Sequence, residues 1–127
     1  MTTTQTEQKT LTAEEREANA ALIRRGYAAF NAGDLATLNE LFAEGARWRT
    51  PGRSPAAGEF AGREATFEQF GRYFHETNGT FRAVLENVFP SDDGRVVALH
   101  RNTAERKGRT LDVSCCIVFQ LTADTTR

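Results

Sequence analysis

Two cysteines, three prolines, two histidines, one tryptophan and one methionine are all that these 127 residues hold of five chemically conspicuous side chains. Cys115 and Cys116 are adjacent, so on a strand they point to opposite faces and can neither staple the chain nor start a metal site. They read as small core residues of a reduced, cytoplasmic protein. His75 and His100 stand at unrelated positions with no carboxylate pattern around them, which supplies no metal-ligand set and calls for no cofactor. No sign of charge dominates either: 16 Lys and Arg face 17 Asp and Glu, for a net charge of −1. Without a basic stripe, nucleic acid is not an expected partner. Long apolar runs are missing as well. The stretch from Cys115 to Phe119 is far below the roughly 20 residues that cross a bilayer, so no membrane span is expected. The polar start MTTTQTEQKT lacks the apolar centre of a secretory signal. Residues 1–11 therefore read as a disordered leader, 12–122 as one domain and 123–127 as a frayed tail.

What is present is periodicity. Thr12-Ala-Glu-Glu15 has the pattern of a capping box, and Ala18, Leu22, Ile23, Tyr27 and Phe30 recur at helical spacing until Gly33, which predicts a helix over about residues 13–32. Asp34 can cap a second, shorter helix with Leu35, Leu38, Leu41 and Phe42 on its apolar face. Ala46, Trp48 and Thr50 alternate with Arg47 and Arg49 as a short strand that Pro51 and Gly52 break. The Gly52–Gly62 segment has no phosphate-loop spacing and reads as a flexible rim. A third helix carries Phe67, Phe70, Tyr73 and Phe74 and is closed by Asn78-Gly79. His75, near its end, reads as a surface residue at a favourable dipole position. Three strands then follow, from Thr80 to Pro90, Arg95 to Arg106 and Arg109 to Leu121, turned at Asp93-Gly94 and Lys107-Gly108. The order α-α-β-α-β-β-β describes an α+β protein with a curved antiparallel sheet wrapped around N-terminal helices.

Two-residue turns fix a register. The first hairpin would set Asn87 opposite His100, Phe89 opposite Ala98 and Leu85 opposite Asn102. The opposite face would then hold the pairs Glu86–Arg101 and Arg82–Glu105. The second hairpin sets His100 opposite Cys115, Asn102 opposite Val113 and Ala98 opposite Ile117, with Asp112 beside Thr103 as a solvated side chain near Arg101. A bulge in either hairpin would undo the assignment. One face is then apolar except for Asn87, His100 and Asn102 near its middle. Burying three such groups unpaired would cost roughly 1 to 3 kcal/mol each, so they need partners.

An apolar face with convergent polar groups is how small-molecule pockets are built. His100 is accordingly the candidate acid/base residue, since imidazole titrates near neutrality, with Asn87 and Asn102 orienting it or holding a substrate oxygen. Trp48, Tyr27, Phe89, Val113 and Cys115 are the candidate walls for a hydrophobic small molecule. The alternative is an Asn-His-Asn network that satisfies only itself inside the core. Trp48 serves equally well as core filling, and a Tyr such as Tyr27 often carries its hydroxyl to the surface.

Three segments carry a family resemblance over about residues 18–121: Tyr27-Ala-Ala-Phe-Asn-Ala-Gly-Asp34, Trp48-Arg-Thr-Pro-Gly-Arg-Ser-Pro-Ala-Ala-Gly58 and Ala104-Glu-Arg-Lys-Gly-Arg-Thr-Leu-Asp112. They resemble the SnoaL-like polyketide cyclase branch of the nuclear transport factor 2-like superfamily, which also holds ketosteroid isomerases. The resemblance implies a cystatin-like cone of curved sheet closed by helices, a deep apolar pocket and a homodimer formed through the sheet. It also implies a cofactor-independent cyclase, isomerase or hydrolase, with a non-catalytic ligand-binding or dimerisation module as the alternative. The isomerase residues do not carry over. Gly26 stands where those enzymes have the oxyanion-hole tyrosine, Thr50 where they have the aspartate base, and Ile117 at the second acid. The strand that the family places after Gln120-Leu121 has no counterpart in Thr122–Arg127, which would leave the Arg109–Leu121 strand an open edge.

Overall fold

A computed structural model describes residues 10–53 and 57–121, so most of the expected leader, the expected tail and part of the rim segment lie outside the described residues. Helix α1 (Ala13–Ala32) begins on the capping box: Thr12 Oγ1 accepts from the Glu15 N–H at 3.1 Å, and Glu15 Oε1 accepts from the Thr12 N–H at 2.9 Å. It ends where the Gly33 N–H closes on the Phe30 carbonyl at 3.1 Å. Asp34 caps α2 (Leu35–Leu41) by accepting from the Thr37 N–H at 3.1 Å. The chain continues through β1 (Arg47–Thr50), β2 (Gly58–Ala61), α3 (Arg63–Glu76), β3 (Arg82–Pro90), β4 (Arg95–Arg106) and β5 (Arg109–Gln120). Strands β1 and β2 form one antiparallel pair, and β3-β4-β5 form a separate antiparallel sheet.

The α+β expectation holds with one added element. Strand β2 lies where the sequence suggested only a rim, because Gly58-Glu-Phe-Ala61 has little strand pattern of its own. Pairing with β1, Trp48 opposite Phe60 and Thr50 opposite Gly58, is what orders it.

The Lys107-Gly108 turn is the expected two-residue one. Both residues have positive φ, 52° and 80°, as a primed turn requires, and His100 faces Cys115, Asn102 faces Val113 and Ala98 faces Ile117. The first hairpin differs from expectation. Its loop takes three residues, Asp92-Asp93-Gly94, because the Ser91 N–H already bonds the Arg95 carbonyl at 2.8 Å and Gly94 absorbs a left-handed φ of 95°. Val88, not Phe89, therefore faces Ala98. A bulge at Glu86 then shifts the register again, so that Leu85 faces His100 and Ala83 faces Asn102. Each one-residue shift exchanges the two faces. Phe81, Ala83 and Leu85 stay on the helix side as expected, whereas Asn87 and Phe89 move to the outer face. The expected pairs Glu86–Arg101 and Arg82–Glu105 are replaced by Val84 opposite Arg101 and Arg82 opposite Thr103.

Helix α1 packs across β3 and part of β4, burying Ile23 and Tyr27 against Ala83, Val96 and Ala98. An aromatic cluster continues this core towards α3. Its centre is Phe70, whose ring lies 4.9 to 6.3 Å from those of Phe30, Phe42, Phe67, Trp48 and Tyr73. Among the described residues β3 pairs with β4 on one side only, and its other edge is closed by a side chain of α1. Asn31 Nδ2 donates to the Ala83 carbonyl and Asn31 Oδ1 accepts from the Ala83 N–H, both at 2.8 Å. Asn31→Ala removes both bonds and exposes a strand edge, so it should cost about 2 kcal/mol at about 1 kcal/mol per bond. Urea unfolding of the two proteins measures that difference. Asn31→Asp, which keeps the acceptor and loses the donor, should fall between them.

Candidate functional site

Strand β4 carries His100 near its middle on the face covered by α1, and Tyr27 stands one helical turn before Asn31 on that helix. The bonds that hold Asn31 to Ala83 therefore also set where Tyr27 meets the sheet. Its hydroxyl lies 2.6 Å from His100 Nδ1, with the two rings 5.1 Å apart. Both residues are buried, Tyr27 to 8% exposure and His100 to 3%.

Burial acts on these two groups in opposite directions. It penalises phenolate, so the Tyr27 hydroxyl is held far above its usual 10.0. It also penalises imidazolium, so His100 is held below its usual 6.5; the Asn102 side chain and the Glu86 carboxylate oppose that shift without cancelling it. At neutral pH both rings are uncharged. The neutral phenol and the neutral imidazole share one hydrogen bond, and which of them donates is set by the ring nitrogen that carries the histidine proton. Asn102 extends the chain of contacts, since its Nδ2 donates to Cys115 Sγ at 3.2 Å. Tyr27, His100, Asn102 and Cys115 thus form one connected polar cluster on an otherwise apolar face.

The remaining candidate residues divide. Phe119 bridges Tyr27, at 6.1 Å between centroids, to Trp48, at 6.4 Å, so Trp48 belongs to the same interior. The Trp48 Nε1 is buried without a hydrogen-bond partner among the described residues, its ring edge-on to Phe70. Val113 shares the face of His100 but is 44% exposed, because α1 does not reach over the first half of β5. Asn87 and Phe89 are not part of the cluster. Both are exposed on the outer face, and the Asn87 Oδ1 accepts from the Val88 N–H at 2.9 Å. On that outer face Asp112 stands opposite Thr103 and takes a two-pronged ion pair from Arg101, as a solvated carboxylate would.

The partner that sequence reading undervalued is Tyr27. Its position on the buried stripe, four residues from Asn31 and Ile23, was the available signal. No register argument on the sheet could supply it, because the contact spans helix and strand. No group of three or more His, Cys, Asp or Glu side chains able to hold a metal occurs among the described residues, and no helix there is long and apolar enough to cross a membrane.

The depressed His100 pKa makes stability pH-dependent with a definite sign. Unfolded, the ring binds a proton near pH 6.5; folded, it binds one only at lower pH. Between those two values the unfolded state holds more protons, so stability rises with pH there. Stability should be complete above about pH 6.5 and fall on acidification below it. Paired urea titrations of the natural protein and His100→Gln across pH 5 to 8 check this. The slope in that window should diminish in the variant.

Comparison with known proteins places this geometry. The SnoaL-like domain model matches residues 23–125. An uncharacterized protein of Mycobacterium tuberculosis is 38% identical over 96 residues, covering 76% of this chain and 73% of its own length, and one of Mycobacterium bovis matches equally well. Among solved structures, Bal32a from a soil-derived mobile gene cassette is 64% identical with a TM-score of 0.84, covering 87% of this chain and 84% of its own. A putative SnoaL-like polyketide cyclase from Jannaschia shares the fold at 19% identity and a TM-score of 0.71, covering 86% and 80%. A Xanthomonas campestris protein described as having a cystatin-like fold superposes at 20% identity and a TM-score of 0.75, covering 84% and 82%. With its fold and most of its length matched, the chain belongs to the SnoaL-like domain family and shares a cystatin-like α+β fold with these structures.

Proposed function

We propose that this chain binds a small, largely apolar molecule against the helix-covered face of the sheet and exchanges a proton with it through Tyr27 and His100. The observation that carries this reading is a 2.6 Å contact between two titratable groups that burial drives apart. Where environments separate two such groups, the one kept protonated serves as donor and the one kept unprotonated as base. A ligand oxygen that takes the Tyr27 hydroxyl proton as a hydrogen bond releases His100 Nδ1, whose lone pair then accepts a proton from the ligand. Asn102 steadies the ring, while Trp48, Phe119 and Cys115 supply the apolar wall. That chemistry suits a cyclisation or isomerisation through an enolate, and it needs no cofactor.

The non-catalytic reading has its own support in the 3% exposure of His100, whose ring is already satisfied by its neighbours. An NMR titration of the imidazole, with and without a panel of aromatic and polyketide-like compounds, separates the two. For a working site the ring titrates below 6.5, its resonances move with one compound class, and Tyr27→Phe raises the pKa by removing the donor to Nδ1. A ring that neither titrates nor responds makes the cluster structural.

We further propose a homodimer formed through the outer face of the sheet. Phe89, Val97 and Val118 lie directly opposite one another across three strands there, flanked by Val84 and Leu99. Val118 is 59% exposed, and a contiguous apolar row on a solvated face is what an interface covers. Val118→Asp should shift the protein to monomer in analytical ultracentrifugation while leaving its circular dichroism unchanged. A monomeric natural protein at micromolar concentration would remove the proposal.

A further inference from the structure

An open cleft of about 650 Å³, lined by neither Tyr27 nor His100, lies between the C-terminal end of α1, helix α2 and the length of α3. That volume is in the range of small-ligand sites. Its floor is aromatic. Phe30 meets Phe70 and Phe74 with ring centroids 5.1 and 5.0 Å apart, and Phe67 stacks beside Phe70 at 6.1 Å. Leu35 forms one wall and is 60% exposed, an apolar side chain with no cover. The opposite wall is opened by Gly71, where an added Cβ would meet nothing within 4 Å.

Carboxylates outnumber cations around this floor. Glu44, Glu64 and Glu68 line the cleft and are exposed, and among the described residues none of them makes an ion pair within 4 Å. The only cation in the lining is Arg63, whose Nη1 donates to the Asn39 and Phe42 carbonyls at 3.3 and 3.2 Å. Glu64 sits in the first turn of α3, where the helix N-terminus partly compensates it. Glu68, one turn further along the same face, has no such compensation. An aromatic floor attracts cations through the negative ring faces, and the carboxylate rim adds to that attraction while repelling anions.

We propose that this cleft is a second ligand site, separate from the Tyr27–His100 cluster, and that it takes an apolar ammonium cation, its alkyl or aryl body against Phe30, Phe67 and Phe74 and its charge beside Glu68. The site stands on the apolar floor and the charge complementarity together. It does not depend on whether His100 is catalytic.

Decyltrimethylammonium below its micelle concentration is the probe, followed by amide chemical shifts of the labelled protein. The expected result is saturable movement of the Leu35, Phe67 and Gly71 signals with the His100 region still, and binding by decyl sulfate that is weaker or missing. Glu68→Gln should weaken the cation about threefold or more, the scale of one exposed cation contact. Gly71→Trp should block the cleft, while Gly71→Ala should leave binding intact and confirm that the helix tolerates a side chain there. If Gly71→Trp fails to fold, the Glu68→Gln comparison decides alone. Equal affinity for the sulfate, shifts centred on His100, or self-association that buries the cleft would each overturn the proposal.

Discussion

One helix placed on one strand edge governs both the architecture and the site. Asn31 closes the edge of β3 away from β4 by pairing with both backbone groups of Ala83, and this fixes the axial position and rotation of α1 against the sheet. Because residues four apart share a helix face, the same placement sets the Tyr27 hydroxyl at His100. A rotation of α1 by one residue, about 100°, would break the Asn31 bonds and carry the phenol away from the imidazole together. The Phe-Asn-Ala-Gly-Asp segment therefore does three things in sequence. It supplies the edge clamp at Asn31, ends α1 at Gly33 and starts α2 at Asp34.

What the sequence made legible follows from the range of each interaction. Capping boxes, glycine stops and the Lys107-Gly108 turn are local, and they appear where expected. The face of β5 was equally legible, since it depends on that turn alone. The first hairpin was not, because two small departures act on parity. The third loop residue at Asp92 exchanges the faces of β3, and the bulge at Glu86 exchanges them back. Phe81, Ala83 and Leu85 thus fall on the expected face after two compensating shifts, while Asn87 and Phe89, lying between them, do not. Alternating apolar residues could not reveal this, as Val88 and Phe89 are equally suited to a buried position. Tyr27 was unreadable as the partner of His100 for another reason: helix-to-sheet contacts leave no periodic trace in either segment.

Whether the polar cluster is needed by the fold can be argued from its energetics. Every member of the cluster has a partner, so it costs little to keep. It also contributes little that an apolar replacement would not. Phenylalanine and leucine in place of Tyr27 and His100 would bury similar area on a face already lined by Ile23, Val96 and Phe119, and replacing both partners of a buried hydrogen bond by apolar groups is often close to neutral. Removing only one leaves the other buried and unpaired, which is the expensive case. Packing alone therefore gives no reason for a phenol and an imidazole at these two positions. Burial also keeps the phenol protonated and the imidazole neutral, so the pair combines a donor hydroxyl with an uncharged ring. The chemistry of the pair, more than its contribution to stability, is what distinguishes this face of the sheet from a plain core, and it explains why the assignment turns on the protonation of a single ring.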